Sequence, residues 1–149
     1  MTVIGVDPGV HGAIVRLPTK GKPQAWVMPM KGKQRANDYD MESIVALMRD
    51  FALERTLLVV EHVTRPASIV RCRALFEAIA YMLDMPYTLV TPMVWKKHFA
   101  LGRDKAESID LAQRMFPALA PIITRKKDDG LAEAALIAAW GRERVGGTY

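Results

Sequence analysis

Four acidic residues stand where an acid is costly unless it has a partner. Asp7 ends the apolar run 2–6, Glu61 ends the run 57–60, and Asp129 and Glu133 lie four apart in a stretch that is otherwise small or apolar. Four residues make about one helical turn, so Asp129 and Glu133 share a face. If the strands ending in Asp7 and Glu61 are neighbours, their ends lie roughly 5 Å apart. Two anions at that distance repel unless one is protonated or a cation lies between them. Oxygen ligands of this kind suit a hard divalent cation, Mg2+ or Mn2+, and a pair of such ions can activate a water and stabilise a leaving oxygen in phosphodiester hydrolysis. Each acid also has a plainer reading: a turn residue before Pro8-Gly9, the start of a loop, a helix end, a solvent-facing position. Their joint occurrence in this order is what favours a metal site.

Basic residues flank the last acidic pair. Between positions 96 and 127 there are eight Lys and Arg against three acids, an excess equal to the +5 of the whole chain. Lys96, Lys97, Arg103, Lys105, Arg125, Lys126 and Lys127 are therefore candidates for holding phosphates, a contact that positions nucleic acid without reading its sequence. Lys97 and Lys105 are the ones expected nearest a reacting phosphate, Lys105 as a catalytic residue, where an ammonium can stabilise developing charge. Arg65, Arg71 and Arg73 form a second basic group, either meeting DNA or keeping a helix soluble. His62, beside Glu61, is the one histidine worth testing for catalysis, and Trp95 reads as packed rather than stacked on a base.

The elements that must position these residues follow from periodicity. Residues 2–6, 12–17 and 24–30 read as an antiparallel meander, with turns at Asp7-Pro8-Gly9 and Lys20 to Pro23 and a polar loop over 31–38. Asp40 caps a helix carrying Ile44, Leu47, Met48 and Phe51. The run 57–60 suits a strand buried on both faces. Pro66 opens a long helix over 66–84 whose broad apolar surface can serve both the sheet and a partner subunit. A strand over 87–91 leads to a short helical segment beginning at Pro92. Asp104 caps a helix ended by Pro117, and Asp128 caps a last helix from Asp129 to about Arg142. The order β-β-β-α-β-α-β-α-α gives an α/β fold. Its five-stranded mixed sheet combines an antiparallel meander with two parallel strands, and right-handed crossovers seat the fourth strand beside the first.

With 149 residues, half of them apolar, the chain is expected to form one well-cored domain over 1–149. The pI of about 9.5 points to a polyanionic partner. A single cysteine, Cys72, makes an internal disulfide impossible, so a cytoplasmic setting is expected. Asp7 interrupts the first apolar stretch too early for a signal peptide, and no run is long enough to span a bilayer.

The segments Val3-Ile-Gly-Val-Asp7-Pro-Gly, Val59-Val-Glu61-His and Lys127-Asp-Asp-Gly-Leu-Ala-Glu133 resemble the three acidic motifs of the RuvC-like Holliday junction resolvases, within the ribonuclease H-like superfamily. Trp95-Lys-Lys and Asp104-Lys105 are similar to the basic segment those enzymes place before their final helices, so the resemblance covers nearly the whole chain. It implies a ribonuclease H-like fold and a compact phage or bacterial enzyme in a bacterial or phage-infected cell. The implied activity is a homodimeric, structure-specific endonuclease that nicks a four-way DNA junction symmetrically, using two Mg2+ per site for which Mn2+ can substitute. Asp7 matches the acid that bridges two ions, Glu61 the acid of the fourth strand, and Asp129 with Glu133 the acidic pair of the last helix. The commoner family pattern has two aspartates three apart, whereas Gly130 stands three before Glu133. Either Asp129 or Asp128 is then the ligand. Asp129 is preferred, since four residues differ by about 40° around a helix and five by about 140°.

The long helix at 66–84 is the expected dimer contact. Within nucleases, the alternative is an enzyme acting on flaps, forks or RNA–DNA hybrids. From another class, a non-catalytic junction-binding protein on the same scaffold would be expected to have lost these acids. An actin-like or sugar-kinase ATPase shares the Asp-x-Gly opening but needs a second lobe that 149 residues do not supply.

Overall fold

The computed structural model describes residues 1–32 and 38–145. The meander comprises β1 (Thr2–Asp7), β2 (Ala13–Leu17) and β3 (Gln24–Val27), and it leads to α1 (Met41–Phe51) and β4 (Thr56–Glu61). Then come α2 (Ala67–Met82), β5 (Tyr87–Val90), α3 (Pro92–His98), α4 (Lys105–Met115) and α5 (Asp129–Arg144), with short 3-10 turns at Ala120–Ile122 and Lys126–Asp128. The sheet order is β3-β2-β1-β4-β5. β1 pairs antiparallel with β2 and β2 with β3, while β1–β4 and β4–β5 are parallel. This is the expected mixed sheet, with the fourth strand beside the first.

Several bounds differ from expectation for identifiable reasons. β3 stops at Val27 rather than running to position 30, because Pro29 has no N–H to continue a ladder. Pro66 lies just outside α2 as its N-cap, and α2 ends at Met82, short of 84. Three helices follow β5, since the short segment at Pro92 is a full helical element, and α5 runs two residues further than expected. The loop expected over 31–38 falls partly outside the described residues.

Alternation along the strands sorts the core into two layers. Val3, Leu57 and Val59 pack with α4 and α5, whereas Ile4, Val6, Leu58 and Val60 pack with Ile44, Met48, Cys72 and Phe76 of α1 and α2. Side chains on a strand alternate faces, so Asp7 and Glu61 continue the odd-numbered set and face the α5 layer. They stand one residue beyond the Val6–Val60 pair, as neighbours across two parallel strands.

The helix facing them lies unusually close to the sheet. Gly130, Leu131, Ala132 and every residue from Ala134 to Gly141 are buried, mostly alanine and glycine. A Cβ at Gly5 of β1 would collide with the Ala134 carbonyl and the Ala138 amide. Small residues on both partners therefore bring the acid-bearing end of α5 over the ends of β1 and β4.

Candidate active site

Strand ends and a helix start supply the four acids. Asp7 has the other three as electrostatic neighbours: burial pushes its carboxyl well above the usual carboxylate range, and Glu61, Glu133 and Asp129 all push the same way. Lys96 opposes them. Glu61 is only 6% exposed, and burial raises its carboxyl to about 7 despite the opposing hydrogen bond from Trp95.

The neighbours of this cluster come from α3 and α4. Trp95 is fully buried, and its Nε1–H donates to Glu61 Oε1 at 2.8 Å. The next residue, Lys96, reaches Glu133 Oε1 at 3.0 Å and lies over the Trp95 ring, 5.2 Å from its centroid. Lys105, first in α4 after the Asp104 cap, pairs with Asp129 Oδ2 at 2.7 Å. That carboxylate raises the Lys105 ammonium above its ordinary value. A cleft of about 380 Å³ opens beside Asp7 and Asp129, bounded by the Pro8 to Gly12 turn and by Pro66, Ser68 and Ile69 at the start of α2.

Asp128 occupies the N-cap position of α5, but its side chain does not cap that helix. It turns back into the preceding turn, where Oδ2 accepts from the Thr124 and Arg125 amides at 3.1 and 2.9 Å and the Arg125 guanidinium closes on both oxygens. Arg125, followed by the turn's two amides, holds the Asp128 carboxyl below its usual range. Asp129, not Asp128, is the one that acts on Asp7. Gly130 explains the departure from a three-residue spacing: a Cβ there would collide with the His11 carbonyl of the β1–β2 turn. A side chain three residues before Glu133 has no room in this packing.

The expected ligands are electrostatic neighbours without closed coordination. Among the described residues, no three His, Cys, Asp or Glu side chains converge tightly enough to hold a metal ion as they stand. Instead, Asp129 and Glu133 each have an ammonium on them, and Glu61 has an indole N–H. The donor set still fits a hard divalent cation, since it is all carboxylate and a positive charge would offset the burial and the neighbouring negative charges that raise the Asp7 carboxyl.

The basic candidates divide. Lys96, Lys97 and Arg103 line one groove beside α3, Lys105 touches the cluster, and Arg125 with Lys127 borders a second cleft next to His11. Lys126 is exposed on the same short turn, and Arg65 and Arg71 are exposed at the start of α2. Arg73 differs from expectation: it is committed within the protein, to Glu77 at 3.1 Å, the Val63 carbonyl at 3.2 Å and His62 Nδ1 at 2.9 Å. A guanidinium can only donate, so His62 accepts at Nδ1 and carries its proton on Nε2.

Sequence reasoning missed the Trp95–Glu61 bond while placing Trp95 correctly in the core. The signal was present: a buried indole N–H requires an acceptor.

No family model matches the chain, and no curated protein matches it by sequence. Solved structures do. The fowlpox virus Holliday junction resolvase superposes with a TM-score of 0.64 at 15% identity, covering 97% of this chain and 99% of that one. Thermus thermophilus RuvC in complex with a Holliday junction substrate gives 0.63 at 16%, covering 97% and 96%, and another structure of RuvC from that organism gives 0.59 at 17%, covering 98% and 97%. No helix among the described residues is long and apolar enough to cross a membrane. The sheet order, the helix layers and these superpositions along almost the full length agree: the fold is the ribonuclease H-like fold of RuvC and the viral resolvase.

Proposed function

We propose that this chain is a structure-specific endonuclease that resolves four-way DNA junctions by divalent-cation-dependent hydrolysis, as a homodimer making two symmetric nicks. One observation carries the reading: carboxylates from β1, β4 and α5 gather around Asp7 on one face of a ribonuclease H-like sheet, with lysines at their edge. The proposed metal ligands are Asp7, Glu61, Asp129 and Glu133, holding two Mg2+ or Mn2+. When bound, such ions supply an activated water for in-line attack at phosphorus and stabilise the oxygen that leaves.

The chain's own residues do the rest. Trp95 fixes one oxygen of Glu61, leaving the other for ligation, and the packing of α5 fixes Asp129 and Glu133. Lys96 and Lys105 carry positive charge beside the acids and, with DNA bound, can turn to phosphate oxygens as charge builds on them. Lys97, Arg103, Lys126, Lys127 and the exposed Arg65 and Arg71 hold flanking phosphates.

Support for the dimer is the outer face of α2. Ala74, Ala78, Tyr81 and Met82 face solvent, the last two 81% exposed each, and that is much apolar surface for one helix to leave uncovered. A two-fold partner matches a junction with two related cuts. The reading also takes residues 1–149 as one nuclease domain working in the cytoplasm of a bacterial or phage-infected cell.

The test is cleavage of a labelled four-way junction, a fork and a duplex, with and without Mg2+. Junction nicking should require the cation, and Asp7→Asn should cut it to below about one-hundredth of the wild-type rate. Equal cleavage by Asp7→Asn and wild type would sink the metal-site reading.

A further inference from the structure

The end of α3 and the turn into α4 enclose a groove of about 710 Å³, within the size range of clefts that take small organic groups. Its floor is apolar, made by Pro92, Met93 and Leu101, and its rim is cationic, made by Lys96, Lys97 and Arg103. Among the described residues, no carboxylate lines it. Met93 is 76% exposed, so a large apolar side chain stands uncovered between positive charges.

The groove has a defined shape. Ala100 adopts a left-handed φ of 54°, the Leu101 amide donates to the Lys96 carbonyl at 2.8 Å, and the Gly102 amide donates to the Glu107 carboxylate at 2.6 Å. It also adjoins the carboxylate cluster, because Lys96 belongs to both, lining the groove while pairing with Glu133 at 3.0 Å.

An apolar floor under a cationic rim, with the adjacent carboxylates of Glu107 and Glu133 already bonded to the Gly102 amide and the Lys96 ammonium, is complementary to one kind of occupant: a flat, poorly hydrated ring attached to an anionic backbone. We propose that the groove receives the base of a nucleotide next to the cut phosphodiester, turned out of the stack, while Lys97 and Arg103 hold the phosphates on either side of it. The inference rests on the nuclease reading and extends it from backbone contact to a base-binding subsite. At a junction crossover the base stack is already interrupted, so turning a base outward costs less there than within a duplex. Recognition by this surface depends on ring shape and hydrophobicity, since its floor offers no side-chain hydrogen-bonding group.

Junctions carrying a single 2-aminopurine within a few nucleotides of the cut test this directly, bound to the full-length chain with Ca2+ in place of Mg2+. Among the described residues the groove is lined by no aromatic ring to quench the probe, so at one position the emission should rise by about three-fold or more on binding. Met93→Ser, on an exposed side chain that the core does not need, should remove at least about half of that rise. Cleavage of a junction made abasic at that position should then proceed at the same rate for wild type and Met93→Ser. A protein that nicks junctions while every probe stays dark, or a Met93→Ser protein that brightens the probe fully, overturns the base subsite and leaves the nuclease reading standing. A protein that cuts no DNA overturns both.

Discussion

Trp95 and Glu61 show how one hydrogen bond can set the working state of an acid. Burial favours the protonated form of Glu61 and the indole N–H favours the ionised form, with the balance at about 7. Trp95→Phe keeps most of the core volume and deletes the donor. It should raise the Mg2+ concentration for half-maximal cleavage several-fold at pH 7, with much of the loss recovered at pH 9, and cation titrations at the two pH values check this. An unchanged Mg2+ dependence would show that the bond does not tune the acid.

The same residue predicts how metal-free stability varies with pH. A buried carboxyl raised in the folded state contributes stability that is fully present below its unfolded pKa, near 4.5, and is lost as pH rises through about 7. The metal-free protein should therefore melt at a lower temperature at pH 8 than at pH 5.5. Mg2+ should restore the difference at pH 8 and do little at pH 5.5, and Glu61→Gln should reduce the slope in thermal melts, the raised Asp7 carboxyl keeping the rest. Asp40, Glu54 and Asp128 are held low by their hydrogen-bond partners, so their share is lost only in more acidic solution, below the window compared.

At the scale of elements, α5 and β1 meet through backbone rather than side chains. Gly130→Ala forces a methyl group against the His11 carbonyl and should cost about 2–3 kcal/mol, read as a lower midpoint in chemical unfolding. How much was legible in advance follows from the same elements. The apolar runs 2–6 and 57–60 were readable as strands because a strand buried on both faces is apolar throughout, and the helical spacing around Ile44 because one buried face imposes a period of 3.6. Glu61 and Asp7 were readable as partners because crossover handedness fixes strand adjacency. Three features were not readable. The recoil of Asp128 toward Arg125 depends on turn geometry that propensity does not encode. The capture of Arg73 by His62 and Glu77 depends on tertiary contact, and the pairing of Lys96 and Lys105 with the α5 acids on how three helices are stacked.

At the scale of the whole molecule, the charged site and the apolar face of α2 belong to different elements. The acid cluster, its lysines and the α3–α4 groove adjoin one another, while the exposed apolar stripe of α2 is the proposed subunit contact. Tyr81→Asp should convert the dimer to a monomer in sedimentation at micromolar concentration. Paired nicking of one junction should fall well below single nicking, since each active site would then act alone. Sedimentation showing only monomer for the wild type, with paired cleavage intact, would remove α2 from the proposal.

The burial of α5 has a mechanical consequence. Its flanks are closed by the sheet and by α4, and every residue from Ala134 to Gly141 is buried between them. The two acids at its start therefore sit on an anvil: nothing behind them can yield without opening the core. On the proposed function, the compliance needed to bring a phosphodiester into line must come from the branched DNA. Junctions stiffened by base sequence or by high salt should then be cut more slowly, even where they bind equally well.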